Sequence, residues 1–205
     1  MISSALVKEL REKTGAGMMD CKRALEATDS DIDKAVDHLR TAGIAKAEKK
    51  ASRETTEGVI ASYIHPGSKL GVLVEVNCET DFMAKTEAFQ QFVKDVAMHI
   101  AAAAPMVVRR ENVPQDVLDH EKSIFMEQAR QSGKPDHILE KIVSGRVDKF
   151  YAENVLLEQA YVKDPQKTIG GYLNESIASL GENIVIARFT RFQLGEVESD
   201  RSTDT

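Results

Sequence analysis

Tryptophan is absent from this chain of 205 residues, and cysteine occurs twice, at Cys21 and Cys78. Two cysteines make no disulfide framework, and neither a CxxC pair nor a Cys/His spacing suited to zinc is present. They read as buried, reduced thiols that pack as small hydrophobes. No GxxxxGK[ST] segment occurs, and no GxGxxG follows an apolar strand, so the usual phosphate-cradling loops are missing. "TGAG", Thr14 to Gly17, is the one glycine-rich turn near helix starts, and it reads as a helix stop followed by a tight turn. The histidines, His38, His65, His99, His120 and His137, lack metal-ligand spacing, and packing or solvent accounts for each. No cofactor is expected, and catalysis is disfavoured.

Positive charge is not in excess either. Lys and Arg number 27 against 33 Asp and Glu, giving a net charge of -6. That balance argues against broad, salt-dependent nucleic-acid binding, so no direct nucleic-acid partner is expected. The one basic cluster, Lys46, Lys49, Lys50 and Arg53, is diluted by Glu48 and Glu54 and reads as a solvated linker. The longest apolar run, "IAAAAPMVV", is interrupted by Pro105 and is too short to cross a bilayer. The N-terminus has no basic start followed by an apolar stretch and cleavage site, so no membrane association and a cytoplasmic location are expected.

What is present is an ordinary globular composition, 42% hydrophobic and 29% charged. Residues 1–43 read as three short helices. Ser3 or Ser4 caps the first, with Leu6, Val7 and Leu10 as its stripe and Gly15 as its stop. The second starts near Gly17; the third starts at Ser30 or Asp31, carries Ile32, Ala35, Val36 and Leu39, and ends before Gly43. Periodicity lapses over residues 44–57, which read as a charged tether with helix-compatible composition. Residues 58–195 read as a sheet-and-helix core. "GVIASYIH" and "LGVLVEVN" form a hairpin around "HPGSK", with Val72, Val74 and Val76 on one face of a central strand. Phe89, Phe92, Val93, Val96 and Ile100 recur at helical spacing. Residues 114–158 read as a long helical hairpin, Pro114 in the first turn and "SGKP" at its tip. A helix at "TIGGYLNESIASLG" and an alternating strand, "NIVIARFTRFQLG", close the core, and residues 196–205 form a polar tail. The fold class is α+β: a small antiparallel sheet covered by helices.

The stretch "NCETDF", Asn77 to Phe82, joins strand to helix. Thr80 or Asp81 can cap the following helix, or Thr86 can do so; Phe82 then joins the core or stays accessible as a hydrophobic probe beside an acid. Two other classes compete: a protein-binding adaptor built on the small bundle, and an enzyme using Cys78.

Two stretches, "LREKTGAGMMDCKRAL" (Leu10 to Leu25) and "EVNCETDFMAK" (Glu75 to Lys85), are similar to the elongation factor Ts family of guanine nucleotide exchange factors. "QSGKPDHILEKIVSGRVDKFYAENVLLEQAYVKD" and "VIARFTRFQLGE" extend the resemblance over nearly the whole chain. The resemblance implies an N-terminal three-helix module like ubiquitin-associated domains, then the core and helical hairpin, and elongation factor Tu as partner. It implies that Thr80, Asp81, Phe82 and Met83 intrude beside the partner's nucleotide site and help dislodge magnesium. Leu10, Gly17, Met18 and Met19 would belong to the surface that the N-terminal module offers to that GTPase. Met83 stands where the family commonly has valine, and Ala160 and Tyr161 where proline and phenylalanine are usual. With material for one core, the chain resembles the short form, and a homodimer is expected.

Overall fold

The computed structural model describes residues 2–131 and 135–196. The expected turn at 132–134 and the tail at 197–205 lie outside the described residues.

Three helices open the chain: α1 (Ser4–Thr14), α2 (Met18–Ala27) and α3 (Ile32–Lys50). The Ser3 hydroxyl accepts from the Leu6 amide at 3.2 Å, and Gly15, at φ +66°, ends α1 in the left-handed region. Asp31 caps α3 by accepting from the Lys34 amide at 3.0 Å. Val7, Leu10, Cys21, Ala24, Leu25 and Ala35 fill a small core between the helices.

The third helix does not stop before Gly43 but continues to Lys50. Gly43 and Ala47 are buried, with the Ala178 methyl opposite Gly43. The basic cluster is correspondingly not a merely solvated linker. Lys46 Nζ meets Asp20 Oδ2 at 2.7 Å, Lys50 Nζ donates to the Ile177 carbonyl at 3.2 Å, and Arg53 pairs with Glu79. A helix that buries Gly and Ala while its lysines find partners is docked along its length.

Strands β1 (Glu57–Ile64), β2 (Leu70–Cys78) and β5 (Ile184–Gln193) form an antiparallel sheet in the order β1-β2-β5. The alternation of β2 puts Val72, Val74 and Val76 on the inner face at no more than 2% exposure. They pack against α5 (Glu87–Ala103), through Phe89, Phe92, Val93, Val96 and Ile100, and against α8 (Ile169–Leu180), through Ile169, Leu173 and Ile177.

Simple alternation fails in β5. Glu75 faces Arg188 but Val76 faces Ile186, so Ala187 is an extra residue, a bulge. Ile184 and Ile186 point inward before it; after it, Phe189 packs on the core while Arg188, Thr190 and Phe192 face out. The face carrying Ile184 therefore does not continue through Arg188 and Thr190.

Helices α6 (Gln115–Arg130) and α7 (Asp136–Asn154) pack chiefly on each other, as an arm about 24–28 Å long. Pro114 takes the cap position before α6 rather than its first turn, and α7 ends at Asn154, short of Glu158. A small hairpin, β3 (Ala160–Tyr161) and β4 (Asp164–Thr168), then precedes α8. Nothing in the periodicity announces it, because a two-residue strand is too short to show a period. Its anchor is polar: buried Asp95 accepts from Lys163 (2.8 Å), Gln91 (2.7 Å) and the Tyr172 hydroxyl (3.2 Å), and Tyr161 stacks on Tyr172 at 4.9 Å. That arrangement satisfies a carboxylate that burial alone makes costly.

His99 is fully buried on α5. Its Nδ1 accepts from the Val162 amide at 3.3 Å. The other nitrogen, Nε2, then carries the proton and donates to Gln159 Oε1 at 3.0 Å. Burial lowers its pKa, only partly offset by Gln159. A base whose folded pKa is lowered leaves the unfolded chain to take up the proton first, so stability is lost as pH falls below about 6.5. Urea unfolding at pH 7 and pH 5.5 should show that loss, and His99→Gln should flatten it. In the same assay Phe92→Ala should cost about 3–5 kcal/mol, the range for emptying a buried aromatic site.

Candidate partner-docking site

At Cys78 β2 leaves the sheet, and after two intervening residues a four-residue helix, α4 (Asp81–Ala84), begins. Thr80 is extended, and its hydroxyl accepts from the Met83 amide at 3.2 Å. Thr86 likewise caps α5, accepting from the Phe89 amide at 3.3 Å. Both threonines are caps, one for each helix. Because α4 buries Ala84 and leans Met83 on the core, Phe82 falls on the outer side and is 81% exposed. A phenylalanine this open, fixed within a turn of a sheet, is a rigid apolar projection.

Asp81 lies beside it, and its Oδ2 accepts from Lys85 Nζ at 2.6 Å. The Lys85 hydrogen bond holds the Asp81 carboxyl below its ordinary value. The same ammonium lies 5.9 Å from the Phe82 ring centroid, within cation–π range. Lys85 thus touches both residues at the tip.

The tip is held from a distant part of the chain. Glu182 Oε2 accepts from the Glu79 and Thr80 amides at 3.1 and 3.0 Å, and Oε1 accepts from the Thr80 hydroxyl at 2.7 Å. In return Glu79 Oε1 accepts from the Asn183 amide at 2.6 Å, and the Asn183 side chain donates to the Arg53 carbonyl at 2.9 Å. Sequence reasoning missed Glu182, Asn183 and the role of Arg53. The partners lie about a hundred positions apart, and no local pattern marks a loop glutamate as the acceptor for a strand end.

Cys78 is buried beneath this junction, and its thiol donates to the Thr80 carbonyl at 3.2 Å. Burial, and secondly the Glu182 charge, push the thiol pKa up. Thiolate chemistry needs the opposite shift, so Cys78 packs rather than reacts.

On the three-helix unit, Met18 and Met19 are 56% and 65% exposed, next to exposed Gly17 at the start of α2. Leu10 is different. At 0% exposure it lies at the centre of the small core, so it supports that surface and does not form it. No group of three or more His, Cys, Asp or Glu suited to a metal occurs among the described residues, and none of the described helices is long and apolar enough to cross a membrane.

The Elongation factor TS family model matches residues 4–196. The chain belongs to the elongation factor Ts family. Over 203 residues, 99% of this chain and 94% of the relative, it is 60% identical to elongation factor Ts of Citrifermentans bemidjiense. It is 57% identical to that of Geobacter sulfurreducens over 203 residues, with the same coverage. With that of Syntrophomonas wolfei it shares 57% over 204 residues, 100% of this chain and 95% of the relative. Membership makes this chain a translation elongation factor, a protein of protein biosynthesis. Within an elongation factor Ts fold, Thr80 to Met83 form the projecting tip and Met18 and Met19 an exposed pair on the opening bundle.

Replacing Lys85 by methionine removes the Asp81 partner. The Asp81 carboxyl should then titrate closer to its ordinary value in an NMR pH titration. In the native protein the pairing is complete above the ordinary Asp range and is lost as pH falls through the lowered value. An unchanged titration curve in the variant contradicts the assignment of Lys85 as the cause.

Proposed function

We propose that this factor binds the GTPase elongation factor Tu in its GDP form and promotes GDP release by disturbing the magnesium and phosphate site. GTP can then rebind. The observation that carries the reading is Phe82, exposed on a capped helix whose root is pinned to the core. It acts in the cytoplasm and by binding alone, with no bond-breaking residue and no cofactor.

Such a factor must bind the nucleotide-free GTPase more tightly than the GDP-bound one; reciprocity then lowers GDP affinity by the same ratio. Each tenfold step requires about 1.4 kcal/mol of differential contact. Magnesium demands near-ideal octahedral geometry, so a small displacement of its ligands weakens it. In this reading Phe82 wedges between partner helices, while Asp81, exchanging its exposed Lys85 partner at little cost, supplies polar contact or repulsion near the ion. Thr80 caps the wedge, and Met83 anchors it to the core.

Residues 1–43 act as the docking module and 58–195, with the helical hairpin 114–158, as the core that presents the wedge. The opening bundle is of the ubiquitin-associated type, a reading supported by its three short helices around one small core. A second copy of the chain covers the outer face of the sheet, where Ile60, Ile64, Leu73 and Phe192 are exposed together with Leu194. An apolar face of that kind on a strand array invites burial.

Stopped-flow release of labelled GDP from elongation factor Tu tests the reading. Phe82→Ala should slow catalysed release about tenfold or more while weakening binding to the nucleotide-free partner less, as expected when a contact matters in the transition state rather than the ground state. Equal loss in both, or no loss in release, rejects the wedge; binding that survives changes at both Asp81 and Phe82 favours an adaptor. Met18→Ala with Met19→Ala should weaken complex formation about tenfold, the scale of losing exposed apolar anchors. Light scattering should give twice the chain mass of 22.6 kDa, and the single mass rejects the pairing.

A further inference from the structure

Helix α4 is too short to hold itself. Four residues form barely a turn, and the nucleus of a helix is unfavourable without outside support. Phe82, being exposed, adds no packing that fixes its own direction. The far end of α4 is held by Met83 and Ala84 against the core and by Thr86 and Gln90, which donate to the Met83 and Ala84 carbonyls; its near end depends on the root at Glu79–Thr80. That root has left the sheet: the β1–β2–β5 register ends at Cys78, so the next two amides need acceptors from elsewhere. Glu182 supplies them with one oxygen and binds the Thr80 hydroxyl with the other. Thr80 then has its proton committed to Glu182 and a lone pair committed to the Met83 amide. The carboxylate orients the cap, and the cap orients the helix that carries Phe82.

Glu182 itself follows Gly181, which ends α8 at φ +89°. The same end of α8 receives the opening bundle through Ser179 Oγ to the Gly15 carbonyl (3.2 Å) and Lys50 Nζ to the Ile177 carbonyl (3.2 Å). The tip and the methionine-bearing bundle are thus referenced to one helix terminus.

We propose that Glu182 is a positioning residue for partner activation: its carboxylate, through Thr80, sets the direction in which Phe82 projects. The proposal rests on the exchange reading above. A glutamine retains one acceptor oxygen, whereas alanine removes all three hydrogen bonds; aspartate is a methylene short.

The test uses the full chain and elongation factor Tu loaded with fluorescent GDP. With Glu182→Ala the maximal release rate at saturating factor should fall about tenfold, a change of about 1.4 kcal/mol in barrier, while the half-saturating concentration moves less than about threefold. Glu182→Gln should lose about threefold, the scale of a single hydrogen bond, and it carries the same comparison should the alanine variant fail to fold. Added to Phe82→Ala, either substitution should cost little more, because a residue acting through Phe82 gives non-additive losses. In the free protein, amide exchange at Asp81–Ala84 should quicken while that of β2 stays unchanged. A release rate within about twofold of the native value, or losses that add to those of Phe82→Ala, overturns the proposal. If the native protein fails to accelerate release at all, the exchange reading falls; the positioning role then stands or falls on amide exchange alone, and unaltered exchange at Asp81–Ala84 overturns it.

Discussion

Burial of one face of β2 is the constraint on which the structure depends. Val72, Val74 and Val76 are sealed between the sheet and two helices, α5 and α8. Because side chains alternate with a strict period of two, sealing those three fixes the register of both neighbouring strands and the direction in which β2 leaves the sheet. A one-residue slip would bring Leu73 and Glu75 inside. The point of exit at Cys78 is therefore set by the core, and everything that follows it, including the exposed Phe82, inherits that position.

From this constraint the chain builds outward with polar chemistry. Where the ladder stops, a carboxylate from the far end of α8 takes over the orphaned amides, and Glu79 returns a similar bond to Asn183. The same pattern recurs at the β3–β4 hairpin, where Asp95 gathers Lys163, Gln91 and Tyr172. In both places a carboxylate gathers donors where regular structure ends: backbone amides at the end of β2, side chains at the hairpin. The apolar core gives the fold its stability, and these carboxylates give its edges their direction.

Much of the architecture is legible in the sequence because it rests on local rules. Ser3, Asp31, Thr80 and Thr86 are good capping residues in the right places, and Gly15 stops α1 because it tolerates a positive φ. The spacing of Phe89, Phe92, Val93, Val96 and Ile100 gives the buried face of α5 directly. Long-range contacts overrode local signals elsewhere. The third helix runs past Gly43 because Ala178 leaves no reason to stop there, and the Ala187 bulge reverses the alternation of β5 without a proline or glycine to mark it. Leu10 sits in a motif that the family resemblance assigns to the binding surface, yet helical phase turns it into the bundle core.

The sequence by itself determined most of the helices, the three strands of the sheet, the inner face of β2 and, through two long motifs, the family. It also singled out Thr80 to Met83. Only the tertiary structure decided that Phe82 points outward, that Glu182 holds the root of the tip, and that Cys78 is a buried packing residue. Those outcomes depend on which surfaces the fold covers and on partners a hundred residues away, and neither is encoded in any local window of the chain.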